Sequence, residues 1–116
     1  MWETSDTINI QVRRNTITPI GFEIWDEVAN AACDVSGYSI VMRIADADGD
    51  DNIAEFTAIE IDLAKGQFDF ELDGTRFNAV SGSKETVNLS FQMLALSPQE
   101  TVTIAGGSII LVPGIL

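Results

Sequence analysis

The sequence contains no histidine, one cysteine and only 6 lysine or arginine residues, against 18 aspartate or glutamate residues, in 116 positions. Without histidine, the chain lacks the most common general base and the most common metal ligand. A single cysteine, Cys33, excludes an internal disulfide and a cysteine-rich zinc site. The formal net charge of −12 repels phosphate backbones and anionic lipids. We therefore expect binding neither to nucleic acid nor to a membrane surface.

Long apolar runs are also absent. No stretch approaches the roughly 18 residues that span a bilayer, and residues 1–6 show no basic segment leading into an apolar one, so no secretory signal is expected. Hydrophobic residues nevertheless make up 46% of the chain and charged residues 21%, which is typical of a packed domain. The length, with no linker or repeat, predicts a single domain over residues 1–116.

Apolar and polar residues alternate along most of the chain, which predicts half-buried antiparallel strands. Seven strand candidates separated by Gly, Asp, Ser and Pro predict an all-β sandwich or small barrel. Their apolar positions are Ile8, Ile10, Val12; Ile20, Phe22, Ile24; Tyr38, Ile40, Met42, Ile44; Ile53, Ile59, Ile61, Leu63; Phe68, Phe70, Leu72; Val87, Leu89, Phe91, Met93; and Val102, Ile104, Ile109 to Val112.

Turn-forming residues lie between these rows, and helix signals are weak. We expect breaks at residues 34–37, 46–51, 65–66, 81–83, 97–100 and 105–108. The segment 27–32 is too short to form a stable helix, and we expect a loop or a single turn there. Residues 75–80 predict one turn that carries Phe77 and Val80 inward.

The densest acidic cluster lies in the break at residues 46–51. Asp46, Asp48, Asp50 and Asp51 supply the carboxylate oxygens that Ca²⁺ prefers. The EF-hand pattern fails, because Asp51 and Thr57 stand where its glycine and its final glutamate should be. The spacing favours a solvated hairpin turn, and a weak Ca²⁺ site at this loop remains the alternative.

The remaining acidic pairs and the cysteine have simpler explanations than catalysis. The acid pairs Asp69/Glu71 and Glu60/Asp62 share strand faces and resemble a solvated surface more than the two carboxylates of a glycosidase. Cys33 has no histidine to activate it and is expected to act as a small, partly buried apolar side chain. We assign no catalytic, cofactor-binding or metal-binding residue and expect that the protein is not an enzyme.

Several residues are candidates for contacts, either with other chains or between side chains on the surface of this one. The doublet Arg13-Arg14 is expected to form surface salt bridges. Trp2 is an aromatic residue in a polar terminal stretch. The apolar run from Ile109 to Val112 indicates a central or final strand that Pro113 ends. Ile115 and Leu116 follow that proline and are candidates for packing on a neighbouring subunit.

Read from end to end, the chain resembles small immunoglobulin-like proteins of tailed phages and prophages, above all the N-terminal domain of baseplate upper proteins. The short motifs that carry this resemblance are Thr18-Pro-Ile-Gly-Phe-Glu-Ile-Trp-Asp26, Asp34-Val-Ser-Gly-Tyr38, Ser39-Ile-Val-Met-Arg-Ile44, Gly66-Gln-Phe-Asp-Phe-Glu-Leu72 and Ala105-Gly-Gly-Ser-Ile-Ile-Leu-Val-Pro113. Val35 stands where the family more often has leucine.

The resemblance implies one immunoglobulin-like antiparallel β-sandwich of about seven strands. It also implies a non-catalytic structural protein of a phage particle, in the tail or baseplate rather than a head decoration. Such a protein would be made in the bacterial cytoplasm and would dock to other virion proteins and to copies of itself. The alternative is a carbohydrate-binding or other ligand-binding sandwich, with Ca²⁺ in the Asp46–Asp51 loop.

Overall fold

A computed structural model describes residues 7–26, 28–46, 52–77 and 86–113. Its strands in chain order are β1 (Thr7–Arg13), β2 (Ile17–Glu23), β3 (Trp25–Asp26), β4 (Ala31–Ala32), β5 (Ser39–Ala45), β6 (Asn52–Thr57), β7 (Ile59–Asp62), β8 (Gln67–Asp73), β9 (Val87–Leu96) and β10 (Thr101–Val112). Short 3₁₀ helices cover Leu63–Lys65 and Gly74–Phe77.

The strands form two main sheets and one small hairpin. The larger sheet has the order β1-β10-β9-β5-β6, the smaller sheet has the order β2-β8-β7, and β3 pairs with β4. Every pair is antiparallel except β1–β10, which is parallel. The prediction of an all-β sandwich is confirmed, and the strand order agrees with an immunoglobulin-like arrangement.

The core lies between the two main sheets and is built from the alternating apolar positions. Met42 lies opposite Met93 on one side and Phe56 on the other, and all three are buried. From the smaller sheet, Phe68 and Phe70 are fully buried, with ring centroids 5.8 Å apart in an edge-to-face contact. The alternation therefore identified the inward faces of these strands correctly, whereas Ile59 and Ile61 of the fourth predicted row are exposed.

The fourth predicted segment is two strands in different sheets. β6 pairs with β5 in the larger sheet, and β7 pairs with β8 in the smaller one. Ala58 alone separates them, and its N–H donates to the carbonyl oxygen of Ile40 at 2.9 Å. The irregular phase of this segment arises because the chain crosses between sheets at one residue.

The predicted break at residues 105–108 is wrong, because β10 continues through it. A Cβ placed on Gly107 would lie 1.8 Å from the carbonyl oxygen of Ile8 on the adjacent strand β1. The glycine therefore permits close approach of two paired backbones rather than a turn. A bulge between Thr103 and Ala105 accommodates the change of register against β9.

The other turn predictions that fall on described residues agree with the structure. At residues 34–37, the N–H of Ser36 donates to the Asp34 carboxylate at 2.9 Å, and Gly37 has a φ of 87°. Residues 28–30 form a turn between β3 and β4. Phe77 is fully buried at the end of its 3₁₀ helix, whereas Val80 and the break at 81–83 lie outside the described residues.

Candidate interaction surfaces

The Asp46–Asp51 loop, predicted as a turn or a weak Ca²⁺ site, lies between the two strands of a hairpin. β5 and β6, which precede and follow it, pair antiparallel. The backbone carbonyl of Asp46 accepts a hydrogen bond from the Ser90 hydroxyl at 2.8 Å, while Asp48, Asp50 and Asp51 lie outside the described residues. In the part of the chain that the structure describes, no three acidic, cysteine or histidine side chains group as metal ligands. The solvated turn and its alternative, a weak Ca²⁺ site, therefore both stay predictions.

The acid pairs lie on the smaller sheet. Asp69 and Glu71 alternate with buried residues on β8, as expected of an outward face. On β7 a register shift places Glu60 opposite Phe68 and Asp62 opposite Gln67. Since Phe68 faces the core and Gln67 does not, Glu60 and Asp62 lie on different faces, and the prediction that they share one is wrong. The cause is the bulge at Ile61, which the sequence pattern does not reveal.

Cys33 is half-buried beside the β3–β4 hairpin. Its backbone N–H donates to the carbonyl oxygen of Ile24 at 2.9 Å. Burial, together with the nearby negative charge of Asp26, raises the pKa of the Cys33 thiol. Both effects disfavour the thiolate, which agrees with the expectation of a small apolar side chain.

The arginine doublet differs from the expectation of surface salt bridges. Arg14 is only 4% exposed, and its Nη1 donates to the carbonyl oxygen of Phe77 at 3.2 Å. The guanidinium of Arg13 donates to the carbonyl oxygen of Pro113 at 3.0 Å. The sequence did carry a signal for Arg14, because it continues the inward-facing row of Ile10 and Val12 at a spacing of two.

Unpaired strand edges are the surfaces by which β proteins most readily join other chains. The two main sheets end at β1, β6, β2 and β7. β6 is partly covered, because Arg76 donates to the Glu55 carbonyl at 3.3 Å and lies 5.1 Å from the centre of the Phe56 ring. β2 contains Pro19, which has no N–H to offer to an added strand.

The β7 edge presents large apolar side chains to water, as β2 does at Ile17, which is 60% exposed. Ile59 is 44% exposed and Ile61 is 57% exposed, and Ile61 lies at the bulge between Glu60 and Asp62. Among the described residues, neither β1 nor β6 carries a large apolar side chain that is exposed. An edge strand that presents isoleucine to water is a recognised site of association.

A shallow groove of about 490 Å³ lies next to β7. The hydroxyl of Tyr38, which lines the groove, donates to the Glu100 carboxylate, and this hydrogen bond raises the pKa of Tyr38. The lining residues are Ser36, Gly37, Tyr38, Ser39, Glu60, Ile61, Leu63 and Ala64.

Other predicted contact residues are accounted for differently. Ile109 to Val112 lies inside β10, between β1 and β9, as expected of a central strand. Trp2, Ile115 and Leu116 lie outside the described residues. Ile17, Trp25 and Val28 are further exposed apolar side chains, and no helix in the described ranges has the length and apolar character to cross a membrane.

Comparisons with known proteins found similarity in structure but not in sequence family. No protein-family model matches it, and no curated protein matches it. Among solved structures, the N-terminal domain of phage TP901-1 ORF48 is similar, with a TM-score of 0.50 and 6% sequence identity over 95% of this chain and 86% of that one. The periplasmic chaperone SfaE is also similar, with a TM-score of 0.55 and 12% identity over 95% of this chain and 56% of that one. At these identities the likeness shows a shared β-sandwich fold.

Proposed function

We propose that this chain is a non-catalytic structural protein of a tailed-phage or prophage particle, in the tail or baseplate, and that it docks to other virion proteins and to copies of itself. The observation that carries this proposal is the fold shared with a phage protein domain along nearly the whole of both chains. The motifs quoted above, which resemble baseplate upper proteins, point the same way independently of the structure comparison.

The chemistry of the chain supports a docking role. Histidine is absent from the sequence, and the thiol of Cys33 has a raised pKa, so the common routes to an activated nucleophile are missing. The strands that end the two main sheets offer a means of contact instead.

The test is to find the protein in particles. Particles released from the host after prophage induction are banded on a density gradient, and the chain is quantified by mass spectrometry relative to the major capsid protein. We expect it to co-sediment with particles at a fixed ratio, and gold-labelled antibody against it to mark the tail end.

Three results count against the proposal in different ways. Recovery of the chain only in the soluble fraction would overturn the structural role. Labelling of the head would overturn the tail or baseplate location alone. A strict monomer at high concentration, by size-exclusion chromatography with light scattering, would overturn self-docking.

A further inference from the structure

The outer side of β1 carries backbone groups that no other described strand pairs with. β1 (Thr7–Arg13) ends the larger sheet and pairs only with β10. The Arg14 N–H donates to the Val112 carbonyl at 3.1 Å, and the Ile8 carbonyl lies against Gly107 on β10. Since the backbone groups of successive residues point to opposite sides of a strand, the even-numbered residues of β1 bond to β10 and the odd-numbered residues point away from it.

Asn9 and Gln11 are therefore the residues that face outward at this edge. In the part of the chain that the structure describes, no strand bonds to their N–H and C=O groups, and both side chains are exposed. The Arg13 carbonyl is occupied, because it accepts from the N–H and the hydroxyl of Thr16 at 3.4 and 2.9 Å. The open groups thus lie inside β1, on either side of the buried Ile10.

The other end strands are less accessible to an added strand. Backbone hydrogen bonds from Ala58 to Ile40 at 2.9 Å and from Val35 to Leu63 at 2.8 Å tie both ends of β7 to the segment 35–40. The proline of β2 and the arginine contact of β6, described above, limit those two edges. β1 itself has no proline, no lysine and no register shift against β10, and these are the features that usually protect an edge from pairing.

The distribution of charge favours a second copy of the chain at this edge. β1 and the two strands beside it, β10 and β9, contain no acidic residue, although the chain has 18. Every other end strand carries at least one: Glu23 on β2, Glu55 on β6, and Glu60 and Asp62 on β7. Like charges opposed across a strand pair are destabilising, so two copies with a net charge of −12 meet with least repulsion at β1.

A two-fold pairing of β1 with itself matches both its backbone and its side chains. The antiparallel register that overlaps the whole strand is centred on Ile10. Asn9 of one copy then lies opposite Gln11 of the other, and each such pair can exchange two backbone hydrogen bonds. Ile8 lies opposite Val12, so the core-facing row of one copy continues into that of the other. A shift by one residue would set core-facing against solvent-facing side chains.

We propose that the β1 edge receives the β1 edge of a second copy in this antiparallel, two-fold register, which joins the larger sheets of the two copies into one continuous sheet. This inference rests on the self-docking part of the function proposed above and names its surface and its register.

The first experiment follows the chain over a concentration series from micromolar to millimolar. Sedimentation velocity measures its mass, and NMR measures amide hydrogen exchange on the same samples. We expect a monomer–dimer equilibrium in which the amides of Asn9 and Gln11 become protected as the dimer forms. The amides of Ile10 and Val12, which bond to β10, should be protected at every concentration.

Paired charge variants test the register. Asn9→Glu/Gln11→Glu sets glutamate opposite glutamate in both pairs and is expected to raise the Kd of the dimer about tenfold or more. Gln92→Glu/Gln99→Glu adds the same charge at two exposed residues outside β1 and should have a much smaller effect. Asn9→Lys/Gln11→Glu leaves the net charge unchanged and sets lysine opposite glutamate, so it should dimerise at least as tightly as the parent.

A proline variant tests the backbone. Gln11→Pro removes an N–H that points away from β10, and proline is tolerated on an edge strand in that orientation. We expect it to raise the Kd of the dimer about tenfold or more. Thermal melts, together with unchanged protection of the Ile10 and Val12 amides, show whether each variant keeps the parent fold.

Several outcomes would overturn the inference. A strict monomer at millimolar concentration is one, and equal effects of the two double-glutamate variants is another. A dimer in which the amides of Asn9 and Gln11 stay unprotected would mean that the copies dock through a different surface, so that the β1 inference fails while self-docking stands.

Incorporation into particles distinguishes this inference from the proposed structural role. If the parent is found in particles but is monomeric at every concentration, and folded Gln11→Pro is not incorporated, a strand of another virion protein occupies the edge and the self-pairing inference fails. If the parent is absent from particles, the structural role fails, while sedimentation and amide exchange still decide whether β1 pairs with β1.

Discussion

Two adjacent glycines on β10 have different structural roles. A Cβ on Gly107 would meet the backbone of Ile8 at 1.8 Å, whereas a Cβ on Gly106 would lie 3.4 Å from the nearest atom, the carbonyl oxygen of Phe91. Real Cβ atoms do not approach a backbone as closely as the first distance. β1 can therefore pair with β10 at this point only because residue 107 has no side chain.

Gly107→Ala is expected to destabilise the protein by about 1–3 kcal/mol, the usual range for an overpacked site. The added methyl group must push β1 away from β10. Urea unfolding followed by circular dichroism measures the change, with Gly106→Ala as the control at the neighbouring position. Equal losses for the two variants would contradict the close-approach explanation.

Asp73 shows how a local hydrogen bond links stability to pH. The Thr75 hydroxyl donates to the Asp73 carboxylate at 2.7 Å and the Thr75 N–H donates to it at 3.0 Å, and these hydrogen bonds lower the pKa of Asp73. A lowered folded-state pKa stabilises the fold above the unfolded-state pKa, near 3.9 for aspartate. That stabilisation is lost as the pH falls through the lowered pKa.

Thr75→Val removes the hydroxyl and keeps the backbone donor, so the pKa of Asp73 should rise toward its ordinary value. Carboxyl-carbon NMR titration measures it. Asp34, whose pKa is lowered by Ser36, should titrate unchanged in the same variant. If the pKa of Asp73 stays where it is, the hydroxyl is not the cause of the shift.

At the scale of elements, short segments decide how the two sheets are held together. The 3₁₀ helix Gly74–Phe77 follows β8 and places Phe77 between the sheets, with its ring 6.2 Å from that of Phe56 on β6. The buried Arg14, after β1, donates to the carbonyl of the same residue. This one turn therefore connects the smaller sheet to both edges of the larger one.

Phe77→Ala is expected to cost about 3–5 kcal/mol, because a fully buried aromatic side chain leaves a cavity between the sheets. Phe77→Leu retains much of the volume and should cost distinctly less. Denaturant unfolding of the two variants provides the comparison. A small effect for Phe77→Ala would mean that the turn does not anchor the sheets.

At the scale of the whole molecule, few positive charges are placed to offset the acids. Arg14 is buried, and Arg43 already pairs with Glu55 at 3.0 Å in an exposed ion pair, which contributes little to stability. With a net charge of −12, repulsion among surface acids opposes the compact state.

Added salt should therefore raise the melting temperature by screening this repulsion. Calcium chloride at the ionic strength of the sodium chloride series should raise it similarly, since the Asp46–Asp51 loop is expected to be a turn. A larger, saturating shift with Ca²⁺, reversed by EDTA and absent from an Asp48→Asn/Asp50→Asn variant, would show that the loop binds calcium. A melting temperature indifferent to sodium chloride would contradict the repulsion argument.

The sequence by itself determined the fold class and most inward positions. Successive side chains of a strand point to opposite faces, so a strand with one face in solvent and one in the core shows alternation with period two. Rows such as Phe68, Phe70 and Leu72 therefore identify the core-facing side without any knowledge of the partner strands. The absence of histidine and the presence of a single cysteine narrowed the possible kinds of catalytic and metal-binding site in the same way. A side chain that is absent from the sequence is absent from every fold that the chain can adopt.

Only the tertiary structure decided the features that depend on a second element. Gly107 looks like a turn residue until β1 is placed against it, and Arg14 looks like a surface cation until Phe77 lies beside it. Ile59 and Ile61 appear to continue a strand that in fact ends at Thr57. Whether a strand is central or at an edge depends on hydrogen bonds between residues distant in the chain, and that pairing places β7 at the end of the smaller sheet.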